Sequence, residues 1–377
     1  MLVEECWSRM SAAFRACRPE RGKVGDRDKR RRRQVRLLVA AILCLGGLNG
    51  CALGFVWQAS VGQIKLLTQR QPIEQVLQNG TRSEEEQQKL RLVLDVRAFA
   101  IDDLGLRAHK KSYTTFVDVG GPYVSYNVSA ALKDALQPYV WRFPIVGQVP
   151  YKGFFSKAAA QQQEQKLIAQ GYDTYLRGVR AYSTLGYFGD PILSSMLAYH
   201  DFDLITTIIH ELVHQTVWIK GSVSFNESLA SFIADEATRV YLANRDGVDS
   251  PAYHLYMDLQ ADAAVFQAYM HEIIARLEVL YAAPISREEK LRRREQVFLE
   301  AREAYPTIFP RLKTQRYQRF FAQRELNNAV LLSFRRYHQD TTFFDQIFVS
   351  QGRDIRRMIA YVKTLRSDDI PETFRTP

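Results

Sequence analysis

Beyond residue 51 this chain has no cysteine: its four are Cys6, Cys17, Cys44 and Cys51, in a sequence of 377 residues. The 326 residues that follow can build no disulfide framework, no thiolate metal site and no cysteine nucleophile. Cysteine peptidases and Cys-type zinc sites are therefore excluded. Low-complexity sequence is also scarce. Apart from Gln161-Gln162-Gln163 there is no biased stretch and no repeat period. With 46% hydrophobic and 24% charged residues, the composition rules out disorder, a collagen-like chain and a many-pass membrane protein. A general basic surface is missing as well, although the formal net charge is +10. Residues 1–50 hold 12 basic and 5 acidic groups, including the run Lys29-Arg30-Arg31-Arg32-Arg33, and the rest of the chain is close to balanced at +3. No nucleic-acid partner is expected from so local a charge.

The basic run is followed by the apolar stretch Leu37 to Leu48 and then by Leu48-Asn49-Gly50-Cys51. A positive segment before about a dozen apolar residues is the pattern of a secretory signal. The last four residues resemble a bacterial lipobox, with Cys51 as the lipidated residue of the mature chain. Ala52 is not the Asp that retains such lipoproteins at the inner membrane, so the resemblance implies an outer-membrane lipoprotein. A plain transmembrane anchor is the alternative, because Leu37 to Trp57 is 21 residues without a charge. Both readings leave the basic run cytoplasmic and the main domain facing the periplasm.

Periodicity gives an outline of the mature chain. Residues 58–107 read as helical, with apolar positions three and four apart from Glu84 to Leu104. Strand-like runs occupy Thr115 to Val119 and Tyr123 to Val128, on either side of the turn signal Gly120-Gly121-Pro122. Val140 to Val149 and Tyr172 to Ser183 read as further strands, with a helix near Ser156 to Ala169 between them. From about Asp190 nearly everything reads as helix, including Tyr253 to Tyr281 and Ser286 to Ala304. The expected class is α+β: a small sheet with helices, then a mainly helical C-terminal subdomain. The expected organisation is a leader over 1–50, an α+β part with an edge strand over 51–189, and a helical part over 190–377, whose first helices carry the motifs described next.

The chemistry concentrates in His210-Glu211-Leu212-Val213-His214. Residues four apart share a helix face, so the two imidazoles can bind one Zn²⁺. Glu211 is angled toward the same cavity, where it can act as general base toward water on the ion. Thirteen residues after His214 comes Glu227, within Asn226-Glu227-Ser228-Leu229-Ala230. Asn226 suits a helix N-cap with Glu227 in the first turn, and Glu227 is the expected third ligand, leaving a fourth zinc position open. Asp235 and Glu236 compete for that role, but they lie more than two turns on and read as a solvated helix face. No sequence feature fixes which group orients the distal histidine nitrogens; Ser231 stands one turn beyond Glu227.

These motifs look like the gluzincin class of zinc metallopeptidases, although the 12 residues between His214 and Glu227 are fewer than in its thermolysin-like members. More closely, the chain resembles a family of bacterial envelope proteins described as zinc-dependent aminopeptidases. Gln63 to Leu67, Tyr151-Lys152-Gly153-Phe154-Phe155, Tyr182 to Phe188, the metal motifs and Leu326-Asn327-Asn328-Ala329 carry the likeness. It implies a zinc metallopeptidase with a peptide substrate, a zincin-like sheet with an active-site helix, and zinc-site helices opening the part over 190–377. Such enzymes hold peptide along a sheet edge, and Thr174 to Phe188 reads as that edge. Tyr182 or Tyr187 is then the candidate oxyanion donor, with Tyr337-His338 ranked below. Asn327, Asn328 and Glu236 are candidates for clamping a substrate ammonium. Two other readings stay open: a non-catalytic, zinc-stabilised envelope assembly lipoprotein, and a zinc endopeptidase or peptidoglycan hydrolase.

Overall fold

The structure is a computed structural model that describes residues 66, 68–143, 147–181, 189–220, 222–337 and 342–374. The leader, the apolar stretch and Cys51 lie outside the described residues, as do Tyr182, Tyr187, His338 and the last part, 182–188, of the expected peptide-binding edge. Among the described residues, no helix is long and apolar enough to cross a membrane.

The described residues fall into two compact units. Most of the chain, Arg70–Tyr139 and Pro150 onward, forms the larger one. It begins with β1 (Gln71–Pro72), α1 (Ile73–Asn79) and α2 (Glu84–Asp102). The start of α2 is set by a capping box: Ser83 accepts from the Glu86 N–H while the Glu86 carboxylate accepts from the Ser83 N–H. Its apolar face, Leu90, Val93, Val96 and Ala100, is fully buried.

Next come β2 (Thr115–Val117) and β3 (Ser125–Ala131). The smaller unit contributes β4 (Trp141–Phe143) and β5 (Gly147–Val149), an antiparallel pair in which Trp141 faces Val149. The larger unit resumes with β6 (Tyr151–Phe154), α3 (Lys157–Ala169) and β7 (Asp173–Val179). Strands β6, β3 and β7 form an antiparallel sheet in that order, so β7 is an edge. The strand β8 (Ile192–Leu193) pairs parallel to β2, whose other neighbour is β1. Helical character was expected from Asp190, yet β8 intervenes because a two-residue strand has no readable period.

The rest is helical: α4 (Asp201–Thr216), α5 (Val223–Asp246), α6 (Pro251–Ala282), α7 (Arg287–Ala304), α8 (Phe320–Gln323), α9 (Asn328–Tyr337), α10 (Thr342–Ser350) and α11 (Ile355–Val362). The outline of a small sheet with helices followed by a helical part is thus the observed α+β architecture. Helices α4 and α5 form an antiparallel pair joined by a short link, and α2 packs on α4. Fully buried Ala230, Ala234 and Ala237 on α5 let the two backbones approach closely. Behind α5, Phe344 and Phe348 of α10 meet Phe225 and Phe232 at ring distances of 5.2 and 5.7 Å. Helices α6 and α7 share a second core around Phe266, Met270, Leu277 and Phe298.

Candidate metal centre and its cavity

On α4, Leu204, Ile205, Ile208, Ile209, Leu212 and Val213 are buried, which fixes the rotation of the helix. His214 lies beside this apolar stripe with a side chain only 2% exposed, while His210 is 21% exposed, one turn earlier. Glu227 comes from α5. Its position depends on Asn226, and here the structure corrects the sequence reading. Ser222, not Asn226, precedes the helix; Asn226 is inside α5 and buried, and Glu227 lies beyond the first turn. The Asn226 amide instead clips the α4–α5 link, its Oδ1 accepting from the Ile219 N–H at 2.9 Å and its Nδ2 donating to the Ile219 carbonyl at 2.8 Å.

The result is a cluster of potential ligand atoms. His210 Nε2 and His214 Nε2 are 3.0 Å apart; His210 Nε2 stands 3.5 Å from Glu227 Oε2 and His214 Nε2 stands 3.1 Å from Glu227 Oε1. Ligands about 2.0–2.1 Å from a tetrahedral ion sit roughly 3.3 Å from one another, so the two imidazole nitrogens and the carboxylate are spaced closely enough to share one ion. His210, His214 and Glu227 can therefore hold a metal ion. Burial pushes the Glu227 carboxyl up, but hydrogen bonding and charge from His210 and His214 outweigh it and hold the group well below the usual carboxylate range. His214 Nδ1 is buried without a hydrogen-bond partner among the described residues, and Trp218 packs edge-on against its ring at 5.5 Å.

Glu211 Oε2 is also buried and without a hydrogen-bond partner among the described residues. The loop before β2 closes over this part of α4. Gln215 Oε1 accepts from the His109 N–H and the Ser112 hydroxyl at 3.0 and 3.2 Å, and Thr216 Oγ1 accepts from the Arg107 N–H at 2.8 Å. The same loop places Tyr113 in a left-handed conformation with φ of 58°. Burial, then the charges of Glu211 and Asp190, push its phenol well up.

His210 and Glu211 open onto a cavity of about 530 Å³. Its lining brings in Arg180 from beyond β7, Tyr199, Asp203 and Thr207 at the start of α4, Asp235 from α5, Tyr256 and Gln260 from α6, and Arg316. A histidine pair, a facing glutamate and a carboxylate oxygen without a partner among the described residues thus lie together at a half-open cavity. Residues 54–375 match the profile of a family described as "Putative aminopeptidase". The chain belongs to that family. No curated protein and no solved structure matches it. Membership of the aminopeptidase family implies a peptide substrate.

Several expected substrate contacts are engaged elsewhere. Asn327 Nδ2 donates to the Thr174 carbonyl on β7 at 2.9 Å. Asn328 is fully buried, donating to the Leu132 carbonyl and accepting from the Tyr281 hydroxyl. Glu236 pairs with Arg239 at 2.7 Å. Asp235, read from sequence as a solvated helix residue, instead lines the cavity. It accepts from Tyr256 Oη at 3.3 Å and Gln260 Nε2 at 3.2 Å, and burial pushes its carboxyl up to about 6 against those hydrogen bonds. Arg180, Tyr199 and Asp235 are the cavity residues that sequence reasoning missed. Each comes from a different segment, and no short motif links them.

Proposed function

We propose that this chain is a zinc-dependent aminopeptidase of the bacterial envelope, with one Zn²⁺ held by His210, His214 and Glu227 and with Glu211 as general base. The observation that carries the reading is the His210–His214–Glu227 cluster, with nitrogen–nitrogen and nitrogen–oxygen separations of 3.0–3.5 Å, beside a Glu211 oxygen that has no hydrogen-bond partner among the described residues. A zinc ion bound there supplies the Lewis acidity that makes water acidic and polarises a peptide carbonyl. Glu211 Oε2 takes the proton of the attacking water and returns it to the leaving amine. Burial keeps the Tyr199 hydroxyl protonated, and it has no partner among the described residues, so it is available to donate to the developing oxyanion. Asp235 on the cavity wall supplies a counter-charge for a substrate ammonium, which is the basis for preferring an exopeptidase over an endopeptidase.

Glu211→Gln should retain zinc on metal analysis and lose peptide hydrolysis by roughly three orders of magnitude or more. Undiminished turnover would overturn the reading. N-acetylated peptides should resist the wild-type enzyme; their cleavage would make it an endopeptidase. For the envelope placement, export should leave the protein in the membrane fraction, facing the periplasm. Lipid labelling that vanishes in Cys51→Ser would assign the anchor to the lipobox, and membrane retention without labelling would assign it to Leu37–Trp57.

A further inference from the structure

Arg180 is a cation in the cavity wall that forms no ion pair among the described residues. Its Nε is buried without an acceptor among them. The other cavity arginine differs: Arg316 is paired with Asp203 at 3.1 Å. Asp235 is held by Tyr256 and Gln260. A buried guanidinium nitrogen left without an acceptor costs stability, and a ligand that supplies the acceptor recovers that cost.

Arg180 is also fixed in place without being neutralised. Its guanidinium carbon lies 5.7 Å from the centre of the Tyr123 ring and 5.7 Å from that of Tyr199, within cation–π range of both. The Ser195 hydroxyl donates to its backbone carbonyl at 2.6 Å. Tyr123 reaches this position because residue 178 is glycine, where a Cβ would run into the ring. Aromatic contacts leave the forked N–H donors unused, and that fork matches a carboxylate.

We propose that Arg180 reads a carboxylate of the substrate, so that this site takes short peptides bearing a carboxylate within reach of the metal centre. The inference rests on the peptidase reading above and narrows its substrate class. A carboxylate can come from the C-terminus of a short peptide or from an acidic side chain.

The test is calorimetric binding to the zinc-loaded Glu211→Gln protein, which needs no turnover. Its probes are tri-alanine, tri-alanine amide and Ala-Glu-Ala amide. Tri-alanine should bind roughly tenfold or more tightly than its amide, and adding R180Q should bring that ratio to about one. Recovery with Ala-Glu-Ala amide would identify a side-chain carboxylate as the source; no recovery would identify the C-terminus. R180K, which keeps the charge but loses the fork, guards against a folding defect in R180Q and should lose most of the preference. Equal binding of all three peptides, no binding by any, or a preference that survives R180Q overturns the proposal. The last outcome would place the carboxylate on the metal instead. Turnover by wild-type protein separates the two readings. Discrimination without hydrolysis sinks the peptidase and leaves the carboxylate site standing, whereas hydrolysis indifferent to both carboxylate and R180Q sinks this proposal alone.

Discussion

Asp235 holds its proton to about pH 6 because burial outweighs the hydrogen bonds from Gln260 and Tyr256. In an unfolded chain an aspartate titrates near about 3.9. Between those values the folded state binds more protons than the unfolded one, so this group makes stability fall as pH rises through the window. In metal-free protein, Asp235→Asn should therefore raise the thermal midpoint near about pH 7.5 and change it little near about pH 4. Thermal scans at the two pH values check the sign, and an equal shift at both would mean that the carboxylate is not destabilised by burial. At Tyr199 the expectation concerns rate: Tyr199→Phe should lower kcat by about ten- to a thousandfold with zinc content unchanged, read by steady-state kinetics and metal analysis. Residues of this kind were not legible in the sequence. His210, Glu211 and His214 were, since one helical turn suffices to bring them together. Arg180 and Asp235 meet only through the packing of β7, α5 and α6, and nothing in their local sequence sets them apart from ordinary surface charges.

Among elements, the α4–α5 pair carries the three residues that can hold a metal ion, and Asn226 ties down the link between its two helices. Removing that amide strips the Ile219 N–H of its acceptor and leaves the Ile219 C=O only the longer 3.4 Å bond from the Ser222 N–H. Asn226→Ala should destabilise the fold by about 1–3 kcal/mol and weaken zinc binding, as measured by denaturant unfolding and metal titration. Stability lost with unchanged affinity would mean that the clip does not position Glu227. The helices themselves were legible from three- and four-residue periodicity, and α6 and α7 begin and end within a few residues of expectation. The role of Asn226 was misread because its cap propensity is a local signal. The packing of Phe225 against Phe344 and Phe374 draws that stretch inside the helix and starts α5 earlier, after Ser222. Strand β8 was hidden for a different reason: it exists only because β2 offers it a parallel edge.

At the scale of the larger unit, one buried polar cluster joins the sheet to the helical part. Arg294 of α7 pairs with Asp173 at the start of β7, with its Nη1 2.9 Å and Nη2 3.1 Å from the carboxylate oxygens, and the Asn328 N–H donates to the same carboxylate at 3.0 Å. Arg294 Nη1 also donates to the Lys133 carbonyl at 2.6 Å. Without Asp173 the buried Arg294 keeps only the Lys133 carbonyl and the exposed Glu295 at 2.9 Å, so Asp173→Ala should cost about 3 kcal/mol in denaturant unfolding, with the zinc affinity of the folded fraction preserved. The cavity, finally, is more than a place for peptide. Of the three residues that can hold a metal ion, only His210 is part of its lining. On the function proposed above, an ion exchanging by way of His210 uses the same opening as the substrate. A peptide in residence blocks that opening, so a chelator should strip zinc more slowly from an enzyme at saturating substrate than from one at rest. Where zinc is scarce, continuous work would itself protect the enzyme from losing its metal.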